Sequence, residues 1–96
     1  MKSPEYLLSV TAAKNGDIVT IHCDRAGLEV LRDHINELIE KLAHNECDHE
    51  HLRSPDWAGA ELTTTMLADE RQSGHSVVHH LELFGWSAEW RAKHGL

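Results

Sequence analysis

"IVTIHCDRAGLEVLRDHINELIEKLA", Ile18 to Ala43, changes its period in the middle. Its first six residues, "IVTIHC", are rich in β-branched side chains and read as a strand. Asp24 then stands where a helix needs an N-cap, because its carboxylate can accept from the free N–H groups of a first turn. From there Leu28, Leu31, Ile35, Leu38, Ile39 and Leu42 recur at helical spacing as one apolar stripe, which predicts a helix from Arg25 to about Ala43. Arg25/Glu29 and Glu37/Lys41 read as i,i+4 pairs on its wet side. Asn45 is a suitable stop.

Upstream, "YLLSVTAA" (Tyr6–Ala13) reads as a strand, and "KNGD" joins it to the next. Asn15-Gly16 is a strong hairpin signal, since both residues take positive φ at low cost. Downstream, "HEHL" reads as a short third strand and "RSPDWAGAEL" as a loop punctuated by Pro55 and Gly59. "TTTMLADERQSG" is ambiguous, extended in its first part and ending in a turn at Gln72-Ser73-Gly74. "SVVHHLELF" (Ser76–Phe84) reads as a fourth strand, with Val77, His79, Leu81 and Leu83 on one face and Val78, His80, Glu82 and Phe84 on the other. Residues 86–96 read as a short C-terminal helical extension capped by Ser87. The order β-β-α-β-β predicts an α+β fold in residues 1–96 as a single domain: a small, mostly antiparallel sheet with one main helix on one face. The other face is then wet or paired with another chain.

The 96 residues suit one modest core, with 41% apolar content. Two cysteines, Cys23 and Cys47, are too few for a disulfide scaffold and read as reduced thiols in a cytoplasmic protein. The start "MKSPEYLLSV" lacks the apolar core of a signal peptide, and no run approaches a membrane span. A net charge of −7 argues against direct nucleic-acid binding and is compatible with a basic protein partner. Residues 24–50 hold eight acids against three bases and so carry −5 of that charge. Such a helix face is commonly only solvated, but Glu29, Asp33, Glu37 and Glu40 are also candidates for meeting a basic partner. Nine histidines make the surface charge sensitive to pH between about 5 and 8.

"CDHEHL" invites a metal reading. Cys47, His49 and His51 would share one face of a strand, and zinc accepts both nitrogen and thiolate sulfur. A fourth donor is not evident, except from His79 or His80, and neither CxxC nor HExxH occurs. The plainer reading is a pair of hydrogen-bonded histidines, and no metal or other cofactor is expected. A Cys47–His49 nucleophile is disfavoured by Glu46, Asp48 and Glu50, which oppose thiolate formation. His79 and His80 cannot chelate one ion from a regular strand, because neighbours face opposite sides. Trp57 is either a lid on the core or an aromatic anchor for a partner.

Taken together, "VTIHCD", "AGLEVLRDHINELI", "DHEHLRSPDWAGAEL" and "VVHHLELFGW" resemble the immunity protein 32 family of bacterial polymorphic toxin systems, over about residues 17–86. The most specific part is His49-x-His51-Leu52 followed by Ser54-Pro55-x-Trp57-x-Gly59-x-Glu61-Leu62. The family pattern favours two glycines after the tryptophan, where this chain has Ala58 before Gly59. The resemblance implies a small, non-enzymatic α+β protein that binds and neutralises a cognate toxin by occlusion. His49 and His51 would then orient the tryptophan loop by hydrogen bonds. The alternatives are a metal-binding protein using Cys47, His49 and His51, and a homodimeric regulatory domain pairing through a sheet edge.

Overall fold

The computed structural model describes residues 4–96. The reading of the N-terminus as lacking a signal peptide rests partly on residues 1–3, which lie outside them. The fold is α+β. β1 (Leu8–Ala12) and β2 (Val19–Cys23) precede α1 (Arg25–Ala43). β3 (Asp48–Arg53), a 3-10 turn (Pro55–Trp57), α2 (Ala68–Gln72), β4 (Ser76–Val78), β5 (His80–Gly85) and α3 (Ala88–His94) follow.

The first hairpin is antiparallel as expected, but its turn is wider. Ala12 pairs with Val19, and the Ala13 N–H donates to the Ile18 carbonyl across the loop. Only Gly16 takes a positive φ there. Asn15 instead accepts the Asp17 N–H on its side-chain oxygen, so its carboxamide closes the turn locally and no primed two-residue turn is needed.

α1 begins and ends where its sequence predicts. Asp24 accepts the Gly27 N–H at 2.8 Å, and Asn45 takes φ 59° after the last turn. Gly27 is required by contact: a Cβ there would lie 1.7 Å from the Leu7 carbonyl oxygen, so the first turn of α1 rests on the backbone leading into β1. Neither predicted i,i+4 pair forms among the described residues. Lys41 pairs with Asp48 across to β3, and Glu37 is engaged by Glu50. β3 offers these helix residues partners closer to the interior than the helix's own wet side does.

The apolar stripe of α1 is only half used. Leu38 is 7% exposed, and Leu31 and Leu42 are half-buried, whereas Leu28, Ile35 and Ile39 are 41–58% exposed. The helix is rolled so that Gly27, Leu31, His34, Leu38 and Leu42 face the sheet, and the other apolar flank remains bare.

Two antiparallel sheets, β2-β1-β4 and β3-β5, are joined by a chain that runs from β4 to β5 through a bend at His79. This corrects the reading of Ser76–Phe84 as one regular strand. Val78, Leu81 and Leu83 all pack on the core, a spacing of three and then two, so the alternation slips by one residue at His79. The core itself is Leu8, Val10, Leu52 and Leu62, with Val30 and Leu31 of α1 against it.

The segment left ambiguous in the sequence covers the far side of the three-stranded sheet. Ser9 and Thr11 point to that side and are fully buried. The Ser9 hydroxyl meets the Thr63 hydroxyl at 2.6 Å and accepts the Thr65 N–H, while the Thr11 hydroxyl donates to Glu70 at 2.8 Å. Glu70 also meets His22 and accepts the Leu67 N–H, which fixes the start of α2. A polar cover of this kind gives no apolar period, which is why α2 is hard to read.

Candidate functional site: the open face of the two-stranded sheet

In the β3–β5 ladder, directly opposed residues share a face. Leu52 opposes Leu81, and Glu50 opposes Leu83, on the side covered by α1. His49 opposes Phe84, and His51 opposes Glu82, on the other side, which among the described residues is flanked only by the tryptophan loop and α3. The result is a continuous row of rings. Phe84 stacks on His49 with centroids 4.9 Å apart, and His49 meets His51 edge-on at 4.6 Å. His51 lies 4.9 Å from His80, and His80 lies 6.4 Å from Trp57. At the other end Phe84 stacks on Trp86, and Trp86 leads to His94 and Trp90 of α3. That end holds a shallow depression of about 280 Å³ lined by Cys47, His49, Phe84, Trp86, Trp90 and His94.

The tryptophan loop is built by backbone bonds onto two residues. Trp57 and Gly59 donate to the Ser54 carbonyl, and Glu61 and Leu62 donate to that of Arg53. Gly59 approaches so closely that a Cβ would lie 2.3 Å from the Arg53 carbonyl oxygen. Pro55 opens the 3-10 turn, Leu52 and Leu62 anchor the two ends in the core, and Glu61 accepts the Ala60 N–H. The Tyr6 hydroxyl donates to the Glu61 carbonyl at 2.9 Å; burial, and then the Glu61 charge, push the phenol above its ordinary value.

Ser54 and His79 orient this loop, in place of the expected His49 and His51. The buried Ser54 hydroxyl meets the His79 Nδ1 at 2.7 Å, and the Ser54 N–H donates to the His79 carbonyl at 2.9 Å, which clamps the bend. Trp57 stacks on His79 almost parallel, 5.9 Å between centroids, and remains 56% exposed. It therefore covers a histidine on the surface and is no lid on the core.

The alternative ligand set Cys47/His49/His51 does not converge. Cys47 sulfur meets the Ser87 hydroxyl and accepts its N–H, each at 3.5 Å. Among the described residues the convergent groups are His51/His80/Glu82 and His34/Glu37/Glu50. Strand geometry explains the replacement, because His80 and Glu82 lie diagonally and directly opposite His51 on the neighbouring strand. The pairing of β3 with β5 was the missing signal.

The acidic candidates lie elsewhere. Glu29, Asp33 and Glu40 are on the outward side of α1, with the sheet between them and Trp57; Asp33 is held by its neighbour Arg32. Glu37 turns toward β3, where a hydrogen bond to Glu50, and then the Glu50 charge, raise its carboxyl above the ordinary range; His34 bonds Glu50 at 3.0 Å. The acids and the tryptophan thus form two surfaces and do not make a single patch. No helix among the described residues is long and apolar enough to cross a membrane.

No curated protein and no solved structure is significantly similar to the chain. A family model, that of immunity protein 32, matches residues 18–81, a span that runs from β2 through the tryptophan loop and the His79 bend to the start of β5. The chain therefore belongs to the immunity protein 32 family.

Proposed function

We propose that the protein neutralises a cognate protein toxin by binding it, without chemistry of its own, and that it does so in the cytoplasm of the producing cell. Membership of an immunity protein family carries this reading. The open face of β3–β5 is the binding surface, with Trp57 as its anchor and Phe84 beside the histidine row. Its support is compositional: interface hot spots are enriched in exposed aromatic residues flanked by polar groups that exclude water. Glu29, Asp33, Glu37 and Glu40 act at longer range, drawing in a basic partner without touching it in the final complex.

The test is co-expression with the toxin domain encoded beside this protein's gene, read as growth, together with binding kinetics on purified components. Trp57→Ala is expected to abolish protection and to speed dissociation by a factor that salt does not change. Replacing the four helix acids by Gln is expected to slow association, with the effect shrinking toward 1 M salt, where the Debye length is about 3 Å. Full protection and unchanged rates in both variants would move the interface off these surfaces.

One observation favours a second reading, a homodimer through the edge of β2. Val19 and Ile21 are exposed on that edge strand, and Ile18 precedes them equally bare. An unpaired apolar edge is a template for pairing with a second copy. Solution mass distinguishes the two: a dimer that Ile21→Lys converts to monomer supports pairing, and a monomer at all concentrations removes it.

A further inference from the structure

We propose that His51, His80 and Glu82 form a site for a divalent transition-metal ion, zinc being the reference case, with one coordination position open on the bare face of β3–β5. The inference is independent of toxin binding and concerns the isolated chain.

Three distances carry it. His51 Nδ1 and His80 Nε2 are 2.7 Å apart, and the Glu82 carboxylate oxygen lies 3.6 Å from each. A tetrahedral ion with bonds of about 2.0–2.2 Å sets its donors about 3.3–3.5 Å apart. Two of the three edges are already close to that value. The third must open by about 0.6–0.8 Å, which a rotation of the two rings supplies.

The protonation states agree. A nitrogen–nitrogen contact of 2.7 Å requires one ring to offer a lone pair to the other's N–H. At least one inward nitrogen is therefore unprotonated, as a metal ligand must be; when the ion binds, the shared proton passes to the donor ring's outward nitrogen or to solvent, which frees the second lone pair. Glu82 accepts no hydrogen bond at normal length from either ring, so its inward oxygen is free to ligate. Mixed nitrogen and carboxylate donors suit zinc better than calcium or magnesium, which prefer all-oxygen shells.

The backbone fixes the three donors. His51 and Glu82 are direct cross-strand partners and His80 is two residues before Glu82, so all three lie on one sheet face. The slip at His79 makes this possible. With β4 and β5 in unbroken alternation, the face that carries Val78 would also carry His80, and the histidine would point under α1. In the rival triad, His34/Glu37/Glu50, two of the three members are already joined by the His34–Glu50 bond.

The experiment uses full-length protein free of any histidine tag, with zinc titrated in competition with a chromophoric chelator. One zinc per chain is expected. His51→Ala and His80→Ala should each weaken binding by at least about tenfold, whereas His44→Ala, at the end of α1, should not. Binding that survives the His51→Ala/His80→Ala double variant overturns the proposal, as does the absence of stoichiometric binding to the unaltered chain. An equal loss in His49→Ala with no loss in His80→Ala also overturns it, in favour of ligands on β3 alone. Histidine-ring NMR on the unaltered protein guards against variants that misfold: zinc must move the His51 and His80 resonances and leave His44 in place. Toxin protection is measured separately, so neither result decides the other.

Discussion

The two sheets close themselves in opposite ways. The β3–β5 pair buries Leu52, Leu81 and Leu83 against α1 and leaves its other face, with the histidines and Phe84, uncovered. The β2-β1-β4 sheet does the reverse. Its far side is sealed by Thr63, Thr65 and Glu70, while Val19 and Ile21, on the side that carries Val10, are bare at the β2 end. One half is held mainly by apolar area, the other by buried hydrogen bonds as well. The first leaves a whole face free, and the second only the β2 end of the face that carries Val10. Apolar cover tolerates small changes of shape, whereas a polar network tolerates no missing partner.

The largest effects are expected in the apolar half. Leu52→Ala and Leu38→Ala should each cost about 2–5 kcal/mol in urea unfolding, because both side chains are enclosed. A loss below about 0.5 kcal/mol at Leu38 would mean that α1 does not rest on the sheet as described.

Thr11→Val tests the polar half, at about 1–2 kcal/mol, by removing a donor from Glu70 without changing the size of the side chain much. The same network has a signature in acid. The Leu67 N–H, then the Thr11 hydroxyl, and less strongly His22, hold Glu70 at a pKa of about 2, below its ordinary 4.5. The unfolded chain therefore takes up this proton first. The stabilisation is complete above about 4.5 and is lost as pH falls through about 2. Glu70→Gln should flatten the stability–pH curve across that window. Asp48, lowered by Lys41, and Glu50, lowered by Glu37 and His34, leave a residual slope. An unchanged curve would remove Glu70 from the network.

A smaller change of opposite sign is expected in the loop. Ala58 takes φ 61°, a left-handed conformation that costs a residue with a Cβ about 1–2 kcal/mol. The glycine favoured there by the family pattern is explained by this angle. Ala58→Gly should stabilise by about 0.5–1 kcal/mol once the greater freedom of glycine in the unfolded chain is subtracted. Destabilisation would show that the loop does not need this angle.

Least of all, Leu28→Ala and Ile39→Ala should change stability by no more than about 0.5 kcal/mol, because these residues are on the bare flank of α1. A cost comparable to that of Leu38→Ala would show the flank covered in solution, and a concentration-dependent cost would identify a second copy as the cover.

What the sequence revealed follows the same division. α1, its Asp24 cap and the Asn45 stop were legible because apolar period and cap chemistry are local. The extent of burial along the stripe was not, since Leu28 and Ile35 obey the same period as Leu31 and Leu38 and only tertiary packing tells them apart. The His79 slip was hidden because neither Gly nor Pro marks it, and the residue that holds it is a serine 25 residues earlier. The residues from His49 to Leu62 stood out as a motif, but placing their side chains needed a partner strand. His51 reads as a loop orienter until His80 and Glu82 are placed across from it. Cys47 is a ligand only in the alternative reading, and Ser87 occupies its sulfur.

The pairing of β1 has a consequence in time. Its neighbour on one side, β2, follows within a short loop, with Ala12 against Val19; on the other side Ala12 waits for Ser76. The hairpin and α1 can form as soon as they leave the ribosome, for closing a short loop costs little. The second edge of β1 stays unsatisfied until Thr63 reaches Leu8 and β4 reaches Val10–Ala12, and both closing steps are long-range, intrinsically slow ones. During that interval Val10 and Leu8 lie on an open strand, so the nascent chain is most prone to aggregation late in synthesis, when all but the last strands have been made.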